Sequence, residues 1–207
     1  MGAQVIAFVV IGHYRRRAQA KALAAALGAH LVMDEHGQGA TWGHRRALEW
    51  AAQQPARVVV LEDDALPVPG FPALAEQVLQ RFPNDLVSLY LGTGRPPQYQ
   101  SDIQARLAIA DSIGADHIRL PELIHGVCYS LPVGHVDRVL ARPWSRQPDF
   151  AIGRAWCAAA RPVIYSVPSL VDHADGPPVE QHPDGQPRIE RRRAWRLPGV
   201  DRCDMVR

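Results

Sequence analysis

Strand-like and helical segments alternate through the first 92 residues, and this alternation constrains the fold more than any other feature of the sequence. Four apolar runs predict buried strands: 3–11, 30–35, 56–64 and 85–92. Three segments between them have helical periodicity: 13–28, 44–54 and 69–83. Gly28 suits a helix C-cap and Pro72 a first helical turn. Because short connections join strands to helices, we predict an α/β fold with a mostly parallel sheet and helices on both faces.

The second half of the chain has weaker periodicity. Strands are predicted there over 126–130 and 161–171, and helices over 133–143 and 148–159. Beyond Asp172 the sequence becomes polar and rich in proline and glycine, which predicts a loop or a partly ordered tail. A chain of 207 residues fits one large domain. We therefore predict a single domain over 1–175 and a tail over 176–207.

Three consecutive carboxylates, Glu62, Asp63 and Asp64, end the apolar run VVVL. Because they repel one another, the cluster is either a solvated turn or helix cap, where Asp is favoured, or a site for a divalent cation. Side chains alternate along an extended backbone, so Glu62 and Asp64 share one side, and Asp63 points toward a ribose hydroxyl or a backbone N–H. Asp34 and Gly92 also close predicted strands. Ligands bind at such strand ends in parallel sheets, which favours the cation site.

Charge, cysteine content and missing motifs exclude several classes of function. The net charge of +2 is too small to indicate a class of partner, but seven arginines lie between Arg188 and Arg207. This block predicts either a tail that closes over the ligand or a contact for nucleic acid or a membrane-surface glycolipid. No run of about 20 apolar residues is present, and three widely spaced cysteines favour a reducing compartment, so we expect a cytoplasmic protein without a transmembrane segment. The absence of Walker A and GxGxxG patterns argues against ordinary ATPases and dinucleotide enzymes.

Five segments follow one another in an informative order: TWGHRRALEW, VVVLEDDALPVPGF, IHGVCYSLPVGHVDRVL, QPDF and VIYSVPSLVDH. Together they resemble the GT-A glycosyltransferases, most closely the family 25 type that adds sugars to lipopolysaccharide and collagen. The Leu-Glu-Asp-Asp block is the specific one, and Gly43 stands where the family usually has serine. The resemblance covers residues 3–175 and implies a GT-A-like fold. It implies a nucleotide-sugar-binding half over 1–94 and an acceptor-side half over 95–175.

The resemblance also implies a nucleotide-sugar donor, UDP-linked, held together with Mn²⁺ or Mg²⁺. Both ions prefer carboxylate oxygen and often take only one or two protein carboxylates. Asp64 is predicted to contact the metal, with Glu62 as the second ligand. His173 corresponds to the late-chain histidine that completes many GT-A metal sites. Asp63 is expected to contact either ribose or metal.

Four further features are predicted to hold the donor, each with an ordinary alternative. Asp34 is placed to contact the nucleotide base or to form a turn. His44 and Arg45 begin a predicted helix, whose N-terminus suits a diphosphate, although a helix-start histidine is often a surface residue. Arg15 begins a run of three arginines after the first strand and suits either phosphate or solvent. Gly92 either lets the backbone approach a sugar or forms a turn.

Asp149 stands just ahead of a predicted helix in QPDF. An inverting transferase needs a carboxylate as general base for the acceptor hydroxyl, and the alternative role is an N-cap. We therefore predict a metal-dependent hexosyltransferase, inverting by resemblance, with a glycan, a lipid-linked or a nucleic-acid acceptor. The alternatives are a metal-dependent nucleotidyl or phosphoryl transferase, a degenerate domain that binds ligand without turnover, and the same glycosyl transfer to modified DNA.

Overall fold

The computed structural model describes residues 6–145, 147–158, 161–176, 178–179 and 191–199. The strands are β1 (Ala7–His13), β2 (His30–Asp34), β3 (Val58–Glu62), β4 (Ala65–Pro67), β5 (Val87–Ser88), β6 (His117–Leu120), β7 (Cys128–Ser130), β8 (Val163–Ser166) and β9 (Val171–His173). The α-helices are α1 (Arg17–Leu27), α2 (Ala40–Ala51), α3 (Phe71–Arg81), α4 (Pro97–Ile113), α5 (Val136–Leu140) and α6 (Pro148–Cys157). A short 3₁₀ turn, Tyr14–Arg16, joins β1 to α1.

A seven-stranded mixed sheet in the order β2-β1-β3-β7-β5-β8-β6 forms the centre of the fold. β1 pairs in parallel with β2 and β3, and β5 pairs in parallel with β8. β7 is antiparallel to both β3 and β5, and β6 is antiparallel to β8. The predicted α/β class is therefore confirmed, with five of the seven strands pointing the same way. β4 and β9 form a separate antiparallel pair.

Helices cover both faces of this sheet, as predicted. Since successive strand residues point to opposite faces, each strand contributes side chains to a core on either side. Val9 and Ile11 of β1 belong to a buried core that includes residues of α2, α4, α5 and α6. Phe8 and Val10 belong to the opposite core, which includes residues of α1 and α3. The two cores fix the strands between them and so fix where the strands end.

Several element boundaries differ from the prediction. α2 begins at Ala40 after Gly39, whose φ of 97° opens the helix, so the predicted start at residue 44 is wrong. His44 and Arg45 consequently lie in the second turn of α2 and not at its N-terminus. Of the predicted strand 85–92, only Val87 and Ser88 form a strand, β5. α4 and β6 were not predicted.

α2 packs unusually close to β1 at Gly43. A Cβ atom at this position would lie 2.6 Å from Cγ2 of Ile11, well inside van der Waals contact. The serine that the resembled family usually has here would therefore force the helix and strand apart. The close packing brings His44, the next residue, against the end of β3.

Residues 191–199, which the sequence assigns to the tail, pack against the sheet where the described chain resumes. Gly92 and Ala194 form an isolated antiparallel bridge. Among the described residues, no helix combines the length and apolar character that crossing a membrane requires.

Candidate active site

A cavity of about 330 Å³ lies at the carboxyl ends of β1 and β3. Seven of the ten residues singled out from the sequence line it: Asp34, His44, Glu62, Asp63, Asp64, Asp149 and His173. These residues come from β2, α2, the end of β3 and the turn that follows it, α6 and β9. The fold thus gathers in one place carboxylates and histidines that are as far as 139 positions apart in the chain.

The three remaining candidates do not line the cavity. Arg15 is exposed, and its Nε donates to the hydroxyl of Tyr14 at 3.1 Å. Arg45 is also exposed and pairs with Glu49 at 3.2 Å along α2. Gly92 lies just outside the cavity, where a Cβ atom would come within 2.6 Å of the Tyr90 hydroxyl. Gly92 therefore leaves room for Tyr90, which does line the cavity.

Asp63 holds the ends of two strands together. Its Oδ2 accepts the backbone N–H of His13, at the end of β1, at 2.8 Å, and its Oδ1 accepts from Arg16 at 3.1 Å. Burial raises the pKa of the Asp63 carboxyl, although the hydrogen bond from His13 opposes the rise. Asp63 thus occupies the backbone-capping role that strand alternation allowed. Arg16, and not Arg15, is the arginine of the run that reaches the acids.

Asp64 and His173 lie side by side with unsatisfied atoms. His173 Nδ1 is 2.8 Å from the carbonyl of Ala174, so Nδ1 carries the proton and Nε2 presents a lone pair. That Nε2 lies 3.3 Å from Asp64 Oδ2. Both His173 Nε2 and Asp64 Oδ1 are buried, and neither has a hydrogen-bond partner among the described residues. Buried acceptors left unpaired cost free energy, and binding a cation or a proton between these two atoms would remove that cost.

The β4–β9 ladder explains how two residues so distant in sequence meet. His173 pairs with Ala65 in this ladder, and the N–H of Ala174 donates to the carbonyl of Asp64 at 2.8 Å. The turn that carries the acidic cluster is therefore fastened directly to the strand that carries the histidine.

The Asp64–His173 pair fits a divalent ion that keeps most of its ligands from water or phosphate, as Mg²⁺ commonly does. Among the described residues, no group of three or more His, Cys, Asp and Glu side chains is arranged to hold a metal. Arg16 NH1 lies 2.5 Å from Asp64 Oδ2, so it shares this carboxylate with any incoming cation. Asp64 Oδ1 remains the unshared oxygen.

Glu62 belongs to a buried chain of hydrogen bonds. His44 Nε2 is 2.9 Å from Glu62 Oε1, and His44 Nδ1 is 3.0 Å from the Tyr129 hydroxyl. Since a carboxylate only accepts, His44 donates from Nε2 to Glu62, and the same ring is linked through Nδ1 to the Tyr129 hydroxyl. Burial has the largest single effect and would raise the pKa of Glu62, but the hydrogen bond from His44 and the charges of His44, His173 and Arg192 together hold the pKa below the ordinary value. Glu62 is therefore kept ionised.

Asp149 is the second residue of α6 and faces the same cavity. Its Oδ1 accepts the backbone N–H of Phe150 at 2.9 Å. Burial, with a further contribution from the charge of Glu62, raises the pKa of Asp149 to about 6. Glu62 and Asp149 are thus two nearby carboxyl groups whose pKa values are pushed in opposite directions, an arrangement typical of acid–base chemistry.

Asp34 is occupied by its own loop. Its Oδ1 accepts from the N–H of His36 at 3.1 Å, and its Oδ2 accepts from the N–H of Gly39 at 2.8 Å. Burial would raise the pKa of Asp34, but the backbone N–H groups outweigh it and hold the pKa below its ordinary value. The turn-forming role named as the alternative is therefore present, and the carboxylate still borders the cavity.

Sequence reasoning missed three further residues that line the cavity: Tyr90, His125 and Arg192. His125 Nε2 is 2.9 Å from the carbonyl of Arg95, so Nε2 carries the proton, while no described residue partners the buried Nδ1. Burial lowers the pKa of His125 to about 4, so it remains a neutral acceptor at physiological pH. No local pattern marks these residues, because their placement depends on long-range packing.

Comparison with protein-family models and with curated proteins finds no match to this chain.

Proposed function

We propose that this protein is a metal-dependent glycosyltransferase that moves a hexose from a nucleoside-diphosphate sugar to an acceptor hydroxyl with inversion. UDP as the carrier and the inverting outcome follow from the resemblance described above. The observation that carries the proposal is one cavity that contains both the Asp64–His173 pair, in which Asp64 Oδ1 and His173 Nε2 have no described partner, and Asp149, whose pKa is about 6. The first feature suits a divalent cation, and the second suits a general base working near neutral pH.

Asp64 and His173 are the residues that would hold Mn²⁺ or Mg²⁺. When bound, the cation would supply a Lewis acid that neutralises charge on the leaving diphosphate. Glu62, whose pKa is held below its ordinary value, adds negative charge that would attract a cation to this end of the cavity. Arg16 balances the carboxylates of Asp63 and Asp64.

Asp149 would accept the proton of the acceptor hydroxyl. Its Oδ1 is held by the N–H of Phe150, which orients the carboxylate and leaves Oδ2 for the proton. A pKa of about 6 leaves most of this carboxylate ionised at neutral pH while keeping it basic enough to take a proton. Positioning of the acceptor beside this group would supply much of the acceleration.

Thermal melting with nucleotides tests the proposal. Ligand that binds only the folded state raises the midpoint, and at 100 times its Kd it adds about 2.7 kcal/mol. We expect UDP or a UDP-sugar to raise the midpoint only with Mn²⁺ or Mg²⁺ present, and Asp64→Ala and His173→Ala to abolish the shift. Asp137→Ala, an exposed acid on α5, is the control and should keep it. A wild-type midpoint that no diphosphate or diphosphate sugar moves would contradict the proposal.

A second candidate, nucleotidyl or phosphoryl transfer, is favoured by one observation. Three arginines, Arg16, Arg95 and Arg192, line the same cavity, and arginine is well suited to the extra charge of a triphosphate. Product analysis separates the two chemistries. Release of pyrophosphate from a nucleoside triphosphate supports nucleotidyl transfer, whereas release of UDP from a UDP-sugar supports glycosyl transfer.

A further inference from the structure

Residues 191–197, here named the arginine strap, lie along the chain segment that follows β5. The N–H of Trp195 donates to the carbonyl of Leu91 at 2.8 Å, and the N–H of Thr93 donates to the carbonyl of Arg193 at 2.8 Å. Ala194 is buried, and its N–H donates to Asp172 Oδ1 at 2.8 Å. These bonds give the strap a fixed register on the body of the protein.

Three of the four arginines of the strap pair with aspartates of the body. Arg193 lies 3.1 Å from Asp172 and 3.3 Å from Asp175. Arg196 forms a bidentate pair with Asp111, with N–O distances of 2.5 and 2.7 Å. Arg191 makes a looser contact with Asp175 at 3.7 Å and is largely exposed. The side chains of these three arginines therefore reach anchoring partners outside the cavity.

Arg192 is the exception. Its backbone N–H donates to Asp175 at 3.3 Å, while its side chain lines the active-site cavity. Within the described ranges, its guanidinium makes no hydrogen bond or ion pair. It is close enough for its charge to contribute to the pKa values of Glu62, Tyr90 and His125, after the larger effect of burial on each. A fixed strap thus presents one partly buried guanidinium, whose donors have no partner in the described part of the chain, to the space that a ligand would occupy.

A guanidinium in this position matches one class of ligand best. Its planar donors bind carboxylate and phosphate oxygens in pairs, and such charge-assisted bonds are about twice as strong as neutral ones. The Asp64–His173 pair suits a divalent cation, and such an ion is commonly shared between one or two protein carboxylates and the phosphate oxygens of a substrate, which favours a phosphate-bearing ligand.

We propose that the arginine strap holds Arg192 at the cavity, where its guanidinium binds the phosphate groups of the nucleoside-diphosphate donor. This inference rests on the proposed function, since it names the group that holds the diphosphate of that donor. The alternative is that Arg192 only offsets the negative charge of the cavity without contacting the ligand. The two roles differ in whether removing Arg192 weakens binding of the phosphate groups specifically or of every ligand alike.

Isothermal titration of the full chain with UDP, uridine and pyrophosphate, in the presence of Mn²⁺, tests this. We expect Arg192→Ala to weaken UDP binding by roughly 10- to 100-fold and to leave uridine binding unchanged. Arg191→Ala, the adjacent arginine whose side chain is outside the cavity, is the matched control and should bind UDP like the wild type. Because the Arg192 side chain has no described partner, the variant should also melt at the wild-type temperature.

Equal UDP affinities for Arg192→Ala and Arg191→Ala would overturn the proposal, and so would an equal loss of UDP and uridine binding in Arg192→Ala. Pyrophosphate separates this inference from the proposed function. If the wild type binds pyrophosphate but not UDP, the donor assignment fails, while loss of pyrophosphate binding in Arg192→Ala still supports the phosphate site. If the wild type does not bind pyrophosphate, or if Arg192→Ala and Arg191→Ala bind pyrophosphate with equal affinity, the phosphate site is refuted.

Discussion

Replacing Asp149 with asparagine should make the protein more stable while it removes activity. The pKa of this carboxyl rises from the ordinary 3.8 to about 6, mainly because burial disfavours the charged form. At 1.36 kcal/mol for each pKa unit, keeping the group ionised at neutral pH lowers the free energy of unfolding by about 3 kcal/mol. Asparagine keeps the oxygen that accepts from Phe150 and carries no charge. We therefore expect Asp149→Asn to gain about 1–3 kcal/mol.

The gain should depend on pH in a defined direction. Because the folded-state pKa of Asp149 is raised, the native protein binds more protons than the unfolded chain between pH 3.8 and about 6. The contribution of this group to wild-type stability therefore falls as the pH rises through that window. Asp149→Asn cannot titrate, so the stability difference between the two proteins should be smallest below the window and largest above it.

Urea denaturation at about pH 5 and about pH 8 measures both effects, since the midpoint and slope give the free energy of unfolding. Asp137→Asn is the matched control, because Asp137 is also the second residue of its helix, α5, but is exposed. It should stay within about 0.5 kcal/mol of the wild type. Transfer by Asp149→Asn should fall by at least about 100-fold. An Asp149→Asn protein that is less stable than the wild type at the higher pH, or a gap that is equal at both pH values, would refute the reasoning.

Three further substitutions test other parts of the structure. Gly126→Ala places a Cβ atom 2.8 Å from Glu62 Oε1 and 3.0 Å from the ring of His44, so kcat/KM should fall by at least about tenfold. The control, Gly176→Ala, has no described atom within 4 Å of its added Cβ and should behave as wild type. His44→Phe keeps an aromatic ring but removes the donor to Glu62, so the pKa of Glu62 should rise, as NMR titration of the Glu62 carboxyl in both proteins would measure; an unchanged Glu62 pKa contradicts the hydrogen-bond chain. Arg57 is 1% exposed and donates to backbone carbonyls that end α3 and precede β5, so Arg57→Met should lower the free energy of unfolding by about 3–5 kcal/mol, and a urea midpoint close to that of wild type would show those bonds to be dispensable.

The first three strands and the acidic cluster were predictable from the sequence because their signals are local. β1, β2 and β3 each read as short apolar runs closed by a polar residue, and they are parallel neighbours in the sheet. Carboxyl ends of parallel neighbours meet at one edge. Asp34, Glu62, Asp63 and Asp64 therefore had to border the same space, whatever the remainder of the chain did.

Other elements depend on pairings that no local pattern reveals. β7 inserts between β3 and β5 in antiparallel orientation, and its partners lie about 70 and 42 positions away in the sequence. α4 carries alanines and charged residues around most of its circumference, which weakens its helical periodicity. The start of α2 was misplaced because Gly39 opens the helix immediately after the loop that Asp34 holds. Arg192 could be seen as part of a basic block, but only the fold shows which arginine of that block enters the cavity.

The three adjacent carboxylates have three different surroundings, and this difference argues against a simple solvated turn. Asp63 is satisfied by backbone and by Arg16, and Glu62 is satisfied by a buried histidine. Asp64 alone keeps a buried oxygen without a partner, next to a histidine nitrogen that also lacks one. A chain that used the cluster only to turn would satisfy all three carboxylates or expose them to water. Glu62 and Asp63 are thus satisfied within the protein, whereas Asp64, which pairs with Arg16 through Oδ2, keeps Oδ1 without a described partner beside His173 Nε2, an arrangement that would suit a cation.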